Sequence, residues 1–341
     1  MNWRPGLAVC TAYMAVALVA GVLWPSDAPA QVANFHPCNA QPALPICQYG
    51  YGRRVAALRW GGPSVSSGPL DPDAGAKASL VTTDPAREIE KLKATTALVQ
   101  DMDTGEVLFA RDEDAVRPIA SIVKLMTALV VVDAGLDMDE KITIDASDVN
   151  VPSDLPSRLA AGTSLSRTDL LHLALASSEN SAAHALGRSY PGGMTAFVQA
   201  MNARARSEGM SRSHFVEPVG LSNDSVSTAK DLAKLVHAAS QHPLIRRFTT
   251  DPKYSIGRRT FHNTNMLVGR PQWDILASKT GTTRGAGDCL VMMVRLNDRN
   301  LALVVLNAQG LSGSRFADAV RLRRIADSRI TRQTDNQVAA K

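Results

Sequence analysis

Ser121 and Lys124 stand three residues apart in RPIASIVKLMTALVVVDAG, residues 117–135, and Lys124 is the only charged residue between Ile119 and Val132. An ammonium isolated among apolar side chains must find partners or give up its proton. A spacing of three puts both side chains on one face of a helix, where a neutral Lys124 amine can take the Ser121 proton as that oxygen attacks a carbonyl. Ser-x-x-Lys recurs at Ser227 and Lys230, but there Asp231 and Lys234 lie alongside; the serine reads as a helix N-cap and the lysine as exposed. Two more clusters carry suitable groups. Ser178-Glu179-Asn180 falls at an apparent break between two helices, and Lys279-Thr280-Gly281 falls at the end of a predicted strand. Taken singly, the first reads as a helix cap and the second as a strand end meeting a turn glycine. Taken together, a second serine and an amide across a cleft can relay a leaving-group proton and hold a peptide carbonyl. Lys279 adds charge that attracts a carboxylate and helps keep Lys124 neutral. Thr280 can hydrogen-bond that carboxylate, and Gly281 lets the strand backbone approach a substrate.

The flanking sequence predicts the elements that position these groups. ATTALVQDMDTGEVLFARD alternates around Asp103-Thr104-Gly105 and predicts an antiparallel hairpin in a folded region starting near Ile89. Pro118 is expected to open the apolar helix and Gly135 to close it. Ser166 to Asp169 has capping-box form ahead of LLHLALA, and a short helix is expected from Asn180 to Gly187. After WDILASKTG, the runs CLVMMVRL and LALVVLNA, joined by a turn at Asn297 to Asn300, predict that a sheet resumes near the end of the chain. SRFADAVRLRRIADSRI suits an amphipathic helix lying on it.

The 341 residues are 45% apolar and 20% charged, which excludes a disordered chain and allows one catalytic-sized domain with extensions. Arg4, the apolar stretch from Gly6 to Trp24 and Ala28-Pro29-Ala30 read as a secretory signal over residues 1–30, with an uncleaved anchor as the alternative. Residues 31–86 read as a Pro/Gly/Ser-rich flexible segment, 87–330 as the catalytic domain and 331–341 as a polar tail. Export to the periplasm follows, and with it nucleic acid drops out as a partner. The net charge of +5 is mild and leaves room for loose association with a cell-wall glycan or a membrane. Cys38 and Cys47 are candidates to pair, while Cys289 reads as an inert core thiol. No cysteine and histidine cluster has metal-ligand spacing, so no metal or cofactor is expected.

In the order Ser-x-x-Lys, Ser-x-Asn, Lys-Thr-Gly, the motifs are those of the penicillin-recognising serine enzymes. RPIASIVKLMTALVVVDAG, ALASSENSAAHAL, FVEPVGLSNDSVSTAKDLAKL, FHNTNMLV and SKTGTTRGAGDCLVMM together resemble the D-alanyl-D-alanine endopeptidases, low-molecular-mass penicillin-binding proteins of the penicillin-binding protein 7 type, over roughly residues 89 to 328. The resemblance implies an α/β fold of the α+β kind, similar to β-lactamases and transpeptidases. An antiparallel sheet is flanked by helices, with a helical subdomain and the active site at their junction. It implies Ser121 as the acylated nucleophile, Lys124 as its base, Ser178 and Asn180 as the second element, and Lys279, Thr280 and Gly281 as the third. Backbone N–H groups of Ser121 and Thr282 would form the oxyanion hole. The implied partners are cross-linked peptidoglycan peptides and β-lactam antibiotics.

A D,D-carboxypeptidase with the same residues is the runner-up. A class A β-lactamase is disfavoured, since Glu217 lies in FVEPVGL, a D,D-peptidase-like context; Glu179 is expected to be an exposed structural residue. A Ser-His-Asp triad would need His172 or His184 poised by a carboxylate, and no G-x-S-x-G elbow supports one. A non-catalytic peptide-binding scaffold is the rival of another class, opposed by the full complement of catalytic side chains.

Overall fold

The computed structural model describes residues 84–151, 156–310 and 313–339. The signal, residues 31–83 of the Pro/Gly-rich segment and the Cys38–Cys47 pairing lie outside the described residues, and the last residues of that segment, 84–86, belong to the cap and start of a helix. A short helix α1 (Pro85–Glu90) leads into strands β1 (Ala94–Asp101) and β2 (Val107–Arg111). The Asp101 carboxylate accepts from Asp103 N–H and Thr104 N–H, both at 2.9 Å, and Gly105 turns the chain at φ 78°, giving the expected hairpin. After a two-residue strand β3 (Arg117–Pro118) and a 3-10 turn at Ala120–Ile122 comes helix α2 (Val123–Asp133). The middle of the chain holds β4 (Lys141–Thr143), α3 (Ala146–Val149), β5 (Ser164–Ser166), α4 (Arg167–Ala176), α5 (Asn180–Arg188) and α6 (Gly193–Ser207). It continues through β6 (Val226–Ser227), α7 (Ala229–Gln241), α8 (Pro243–Thr250) and the hairpin β7 (Lys253–Ile256) and β8 (Arg259–His262). Strands β9 (Asp274–Thr283), β10 (Gly287–Leu296) and β11 (Arg299–Ala308) return to the sheet, and α9 (Ser314–Ala339) closes the chain, running helical through residues expected as a polar tail.

The main sheet is antiparallel throughout, in the order β2-β1-β11-β10-β9. Along β10 the residues alternate between two cores: Val291 and Met293 face the helical side with α2, α4 and α7, while Leu290, Met292 and Val294 face α1 and α9. Strand β11 does the same, with Val304 and Leu306 on one side and Leu303 and Val305 on the other. A strand covered on both faces needs apolar residues at every position, which is why CLVMMV and LALVVL read as continuous runs. Asn297 and Asp298, at φ 50° and 59°, form the tight turn between them. Cys289 is wholly buried and its thiol is pushed up to about 11 by burial. Iodoacetamide is therefore expected to spare Cys289 in the folded protein and to modify it in urea, as read by peptide mass mapping; modification of the native thiol would refute the assignment.

Two boundaries differ from expectation in ways that matter. Pro118 does not open the apolar helix: it sits in β3, paired with Val226, and α2 begins only at Val123. The break is made by Ala120, whose φ of 49° turns the chain into the 3-10 turn that carries Ser121. At the other end Gly135, at φ 61°, follows the helix as expected. The capping box is present at α4, with Ser166 Oγ accepting from Asp169 N–H at 3.0 Å and Asp169 accepting from Ser166 N–H at 3.1 Å. At the second Ser-x-x-Lys copy the N-cap of α7 is Thr228 rather than Ser227, which is held in β6 opposite Arg117. Lys230 is exposed and pairs with Asp114 at 2.5 Å, so that copy carries no buried amine.

Candidate active site

Ser121 lies on the wall of a cleft of about 920 Å³, with Ser178 and Asn180 from the α4–α5 turn on one side and Thr280 to Thr282 of β9 on another. The turn bearing Ser121 is locked from two directions. Loop 217–221 packs so closely on it that a Cβ on Gly220 would lie 2.1 Å from the Ala120 carbonyl oxygen, and Gly220 has φ +86°. Strand β9 approaches from the sheet side, where a Cβ on Gly281 would lie 2.9 Å from Ile119 O and 3.1 Å from Ser121 N. Glycine at 281 thus brings the strand against the backbone of Ser121, not only toward a ligand. Ala120 and Ser178 both occupy left-handed backbone, at about 1–2 kcal/mol each, and such positions persist only where surrounding contacts over-determine them.

Lys124 is fully buried on α2, a helix covered by α4, α5, α6 and α7, and that enclosure explains its apolar sequence on every side. Its Nζ donates to Ser121 Oγ at 2.9 Å, Asn180 Oδ1 at 2.9 Å and the Val219 carbonyl at 2.6 Å. These contacts tie Ser121, Asn180 and loop 217–221 to one nitrogen; three donated bonds are an ammonium's count, and in the neutral amine the lone pair accepts the Ser121 O–H instead. Burial pulls the Lys124 amine down from its ordinary value to about 7, against the opposing pull of the Glu217 and Glu179 carboxylates. The Glu217 carboxylate folds into its own loop, accepting from Val219 and Gly220 N–H at 2.6 Å each and from Leu221 N–H at 2.9 Å. It shapes the loop that supplies the Val219 carbonyl.

Lys279 is likewise buried, donates to the Thr280 carbonyl at 3.0 Å and is held well below its ordinary value by burial, then by the nearby Lys124 and Arg315 charges. Burial is the leading cause for both amines; the Lys124 charge adds to the lowering of Lys279, whereas Lys124 is lowered by burial and not, as expected, by Lys279. The Lys279-Thr280-Gly281 run sits inside β9, which continues to Thr283 paired with β10, rather than at a strand end. Its extension gives Thr282 a place on the cleft wall. Thr280 Oγ1 donates to Thr264 Oγ1 at 2.6 Å. Ser178 lines the cleft, yet no hydrogen bond joins it to Ser121 or Lys124 among the described contacts.

Glu179 is 2% exposed, not the exposed residue expected, because Arg158 arrives from far along the chain to pair with it at 2.9 Å. Sequence reasoning also missed Arg315. At the first turn of α9 its Nη1 donates to the Gly281 carbonyl at 2.7 Å and to Thr282 Oγ1 at 2.5 Å, and it lines the cleft. Only the sheet order could have indicated it, since nothing local marks this arginine among the many in α9. Among the described residues the histidines form no triad. His172 is stacked between Phe248 and Tyr254, 3.1 Å from Asp251 but misaligned for a hydrogen bond, and burial lowers it to about 4. His184 pairs with Asp148 at 2.7 Å, and neither ring lines the cleft.

Comparison with known proteins agrees with this geometry. The sequence profile described as D-alanyl-D-alanine carboxypeptidase matches residues 81–310. A D-alanyl-D-alanine endopeptidase of Escherichia coli is 46% identical over 264 residues, 75% of this chain and 83% of that protein. One from Pseudomonas aeruginosa is 47% identical over 241 residues, 69% of this chain and 77% of that protein. Among solved structures, the D-alanyl-D-alanine carboxypeptidase of Mycobacterium tuberculosis has a TM-score of 0.62 at 28% identity, covering 70% of this chain and 91% of its own. An ampicillin-bound penicillin-binding protein of Listeria monocytogenes has a TM-score of 0.61 at 32% identity, covering 69% and 97%. With a match across two thirds of its length and a serine, a buried amine and a Lys-Thr-Gly strand converging on one cleft, the chain belongs to the D-alanyl-D-alanine carboxypeptidase family of serine peptidases.

Proposed function

We propose that this chain is a D,D-endopeptidase that opens the D-alanyl cross-links of peptidoglycan through an acyl-enzyme on Ser121. The observation that carries the reading is the Lys124 amine, 2.9 Å from Ser121 Oγ and held at about 7 by burial, where a neutral base is available at ordinary pH. Lys124 takes the Ser121 proton as Oγ attacks the D-alanyl carbonyl, and the N–H groups of Ser121 and Thr282 receive the oxyanion. The scissile C–N bond then breaks, the leaving amine takes a proton relayed through Ser178, and the acyl group stays on Ser121. Water, deprotonated by Lys124, cleaves the ester and frees the enzyme. Asn180 orients both Lys124 and the substrate carbonyl. A carboxylate on the leaving side meets Lys279, Thr280 and Thr282; its approach restores the charge that burial suppresses on Lys279. A β-lactam presents the same carbonyl and carboxylate, and its ring keeps the leaving amine tethered.

Residues 1–30 act in this reading as an export signal, 31–86 as a tether and 87–330 as the catalytic domain, which places the enzyme in the periplasm beside its polymer and in loose association with the wall or membrane. A D,D-carboxypeptidase is the second reading, favoured by the family description and by a Mycobacterium tuberculosis relative of that name, 30% identical over 220 residues. The relatives at 46% and 47% are endopeptidases, which ranks that activity first. The full chain, incubated with a defined cross-linked muropeptide dimer and separately with a pentapeptide, is expected to convert the dimer to monomers. An intact dimer with loss of terminal D-alanine from the pentapeptide would replace this reading with the second.

A further inference from the structure

Arg158 grips the chain on both sides of Ser178. Its Nη2 donates to the Ser177 carbonyl at 2.7 Å and its Nε to Glu179 Oε2 at 2.9 Å. The other Glu179 oxygen accepts from Ser157 Oγ at 3.1 Å and from the Arg158 N–H at 3.4 Å. Ser157 Oγ in turn accepts from Ser181 Oγ at 2.6 Å. Two consecutive residues thus hold positions 177, 179 and 181, and the residue enclosed by these contacts is Ser178, at φ 58°. A serine in left-handed backbone relaxes unless its neighbours forbid it.

Arg158 is itself anchored. Its carbonyl accepts from Arg259 Nη1 at 2.5 Å on β8, and its guanidinium lies 5.1 Å from the Phe261 ring centroid. The planar fork is what lets one side chain reach a carbonyl and a carboxylate two residues apart; a lysine ammonium lacks that span. The side chain is also 46% exposed and forms part of the cleft wall, so its contacts lie where substrate enters rather than in remote core. We infer that Arg158 is a positioning residue of the reaction, holding Ser178 in working geometry by pinning the chain at Ser177 and Glu179. The inference rests on the acyl-enzyme reading, with Ser178 in the proton relay.

The test is the rate of penicillin acylation, followed by intact mass, in the full-length wild type, Arg158→Ala, Arg158→Lys, Ser178→Ala and the double variant Arg158→Ala/Ser178→Ala, with melting temperatures alongside. Arg158→Ala is expected to slow acylation about tenfold or more, since small misplacements of a reacting group carry such costs, and Arg158→Lys is expected to recover little of it. In the Ser178→Ala background the same substitution is expected to cost less than about threefold, because its effect passes through a hydroxyl already removed. Acylation at the wild-type rate in Arg158→Ala, or the full single-variant loss repeated in the double variant, would overturn the inference. Should Arg158→Ala fail to fold, Arg158→Lys, which keeps the charge but loses the fork, is read in the same cycle with Ser178→Ala and with the same criteria. A wild type that takes no penicillin would instead defeat the acyl-enzyme reading itself, and the inference with it.

Discussion

Lys124→Met is expected to slow acylation of Ser121 by penicillin about 10³-fold, the middle of the range for loss of a general base, or about 4 kcal/mol of transition-state stabilisation. The pH dependence separates this from simple damage to the site. The amine works only when unprotonated, so in the wild type acylation should climb about tenfold per unit below pH 7, then level off as Lys124 passes its value of about 7. In Lys124→Met that limb should vanish, leaving a slow and flat profile. Stopped-flow acylation between pH 5 and 9 decides the matter. A limb that persisted near pH 7 in the variant would assign the proton acceptor to another group. Lys124→Arg should be equally slow, because a guanidinium does not release its proton in this range.

Gly220→Ala is expected to be nearly as damaging, for a reason that has nothing to do with chemistry at residue 220. The added methyl would sit 2.1 Å from Ala120 O and 2.8 Å from Ser121 N, and alanine resists the φ of +86°. Left-handed strain and overpacking together predict a loss of about 2–5 kcal/mol of stability. Acylation should fall about 10²-fold as the turn bearing Ser121 is displaced. Gly105→Ala is the control. Gly105 has a similar φ, +78°, but nothing within 4 Å of an added Cβ, so only the backbone penalty should appear and acylation should be unchanged. Equal loss of acylation in the two variants would mean that close approach at Gly220 does not hold the nucleophile.

These two residues also mark how far the sequence could be read. Lys124 was conspicuous because a charge inside an apolar helix demands a partner, and the partner three residues away was in plain view. The same logic separated it from Lys230. The strands β10 and β11 were legible because both of their faces are buried, and the hairpin at Gly105 because turn chemistry is local. What could not be read were meetings of distant segments. Val219 lends Lys124 a carbonyl, Arg158 reaches Glu179 and Arg315 reaches Gly281, and in each case the contact is created by packing between elements. Glu179 looked like a surface residue because nothing near it in the chain neutralises it. Pro118 misled because a proline that favours a helix start also suits a short edge pairing, and only Ala120 shows where the helix is broken.

The sheet order places β1 between β2 and β11, with Ala97 opposite Val305. A ribosome delivers these partners at opposite ends of the catalytic domain. Until residues 299–308 have been made, β1 has one neighbour, and a lone two-stranded hairpin is marginal in water. The central pairing must then close a loop of about two hundred residues, a non-local step that slows folding relative to helical bundles. A chain built in this order completes its central sheet only after residues 299–308 have been made. Until then Ser121, though made early, lacks the β9 wall of its cleft, so the site is completed only when the last strands arrive.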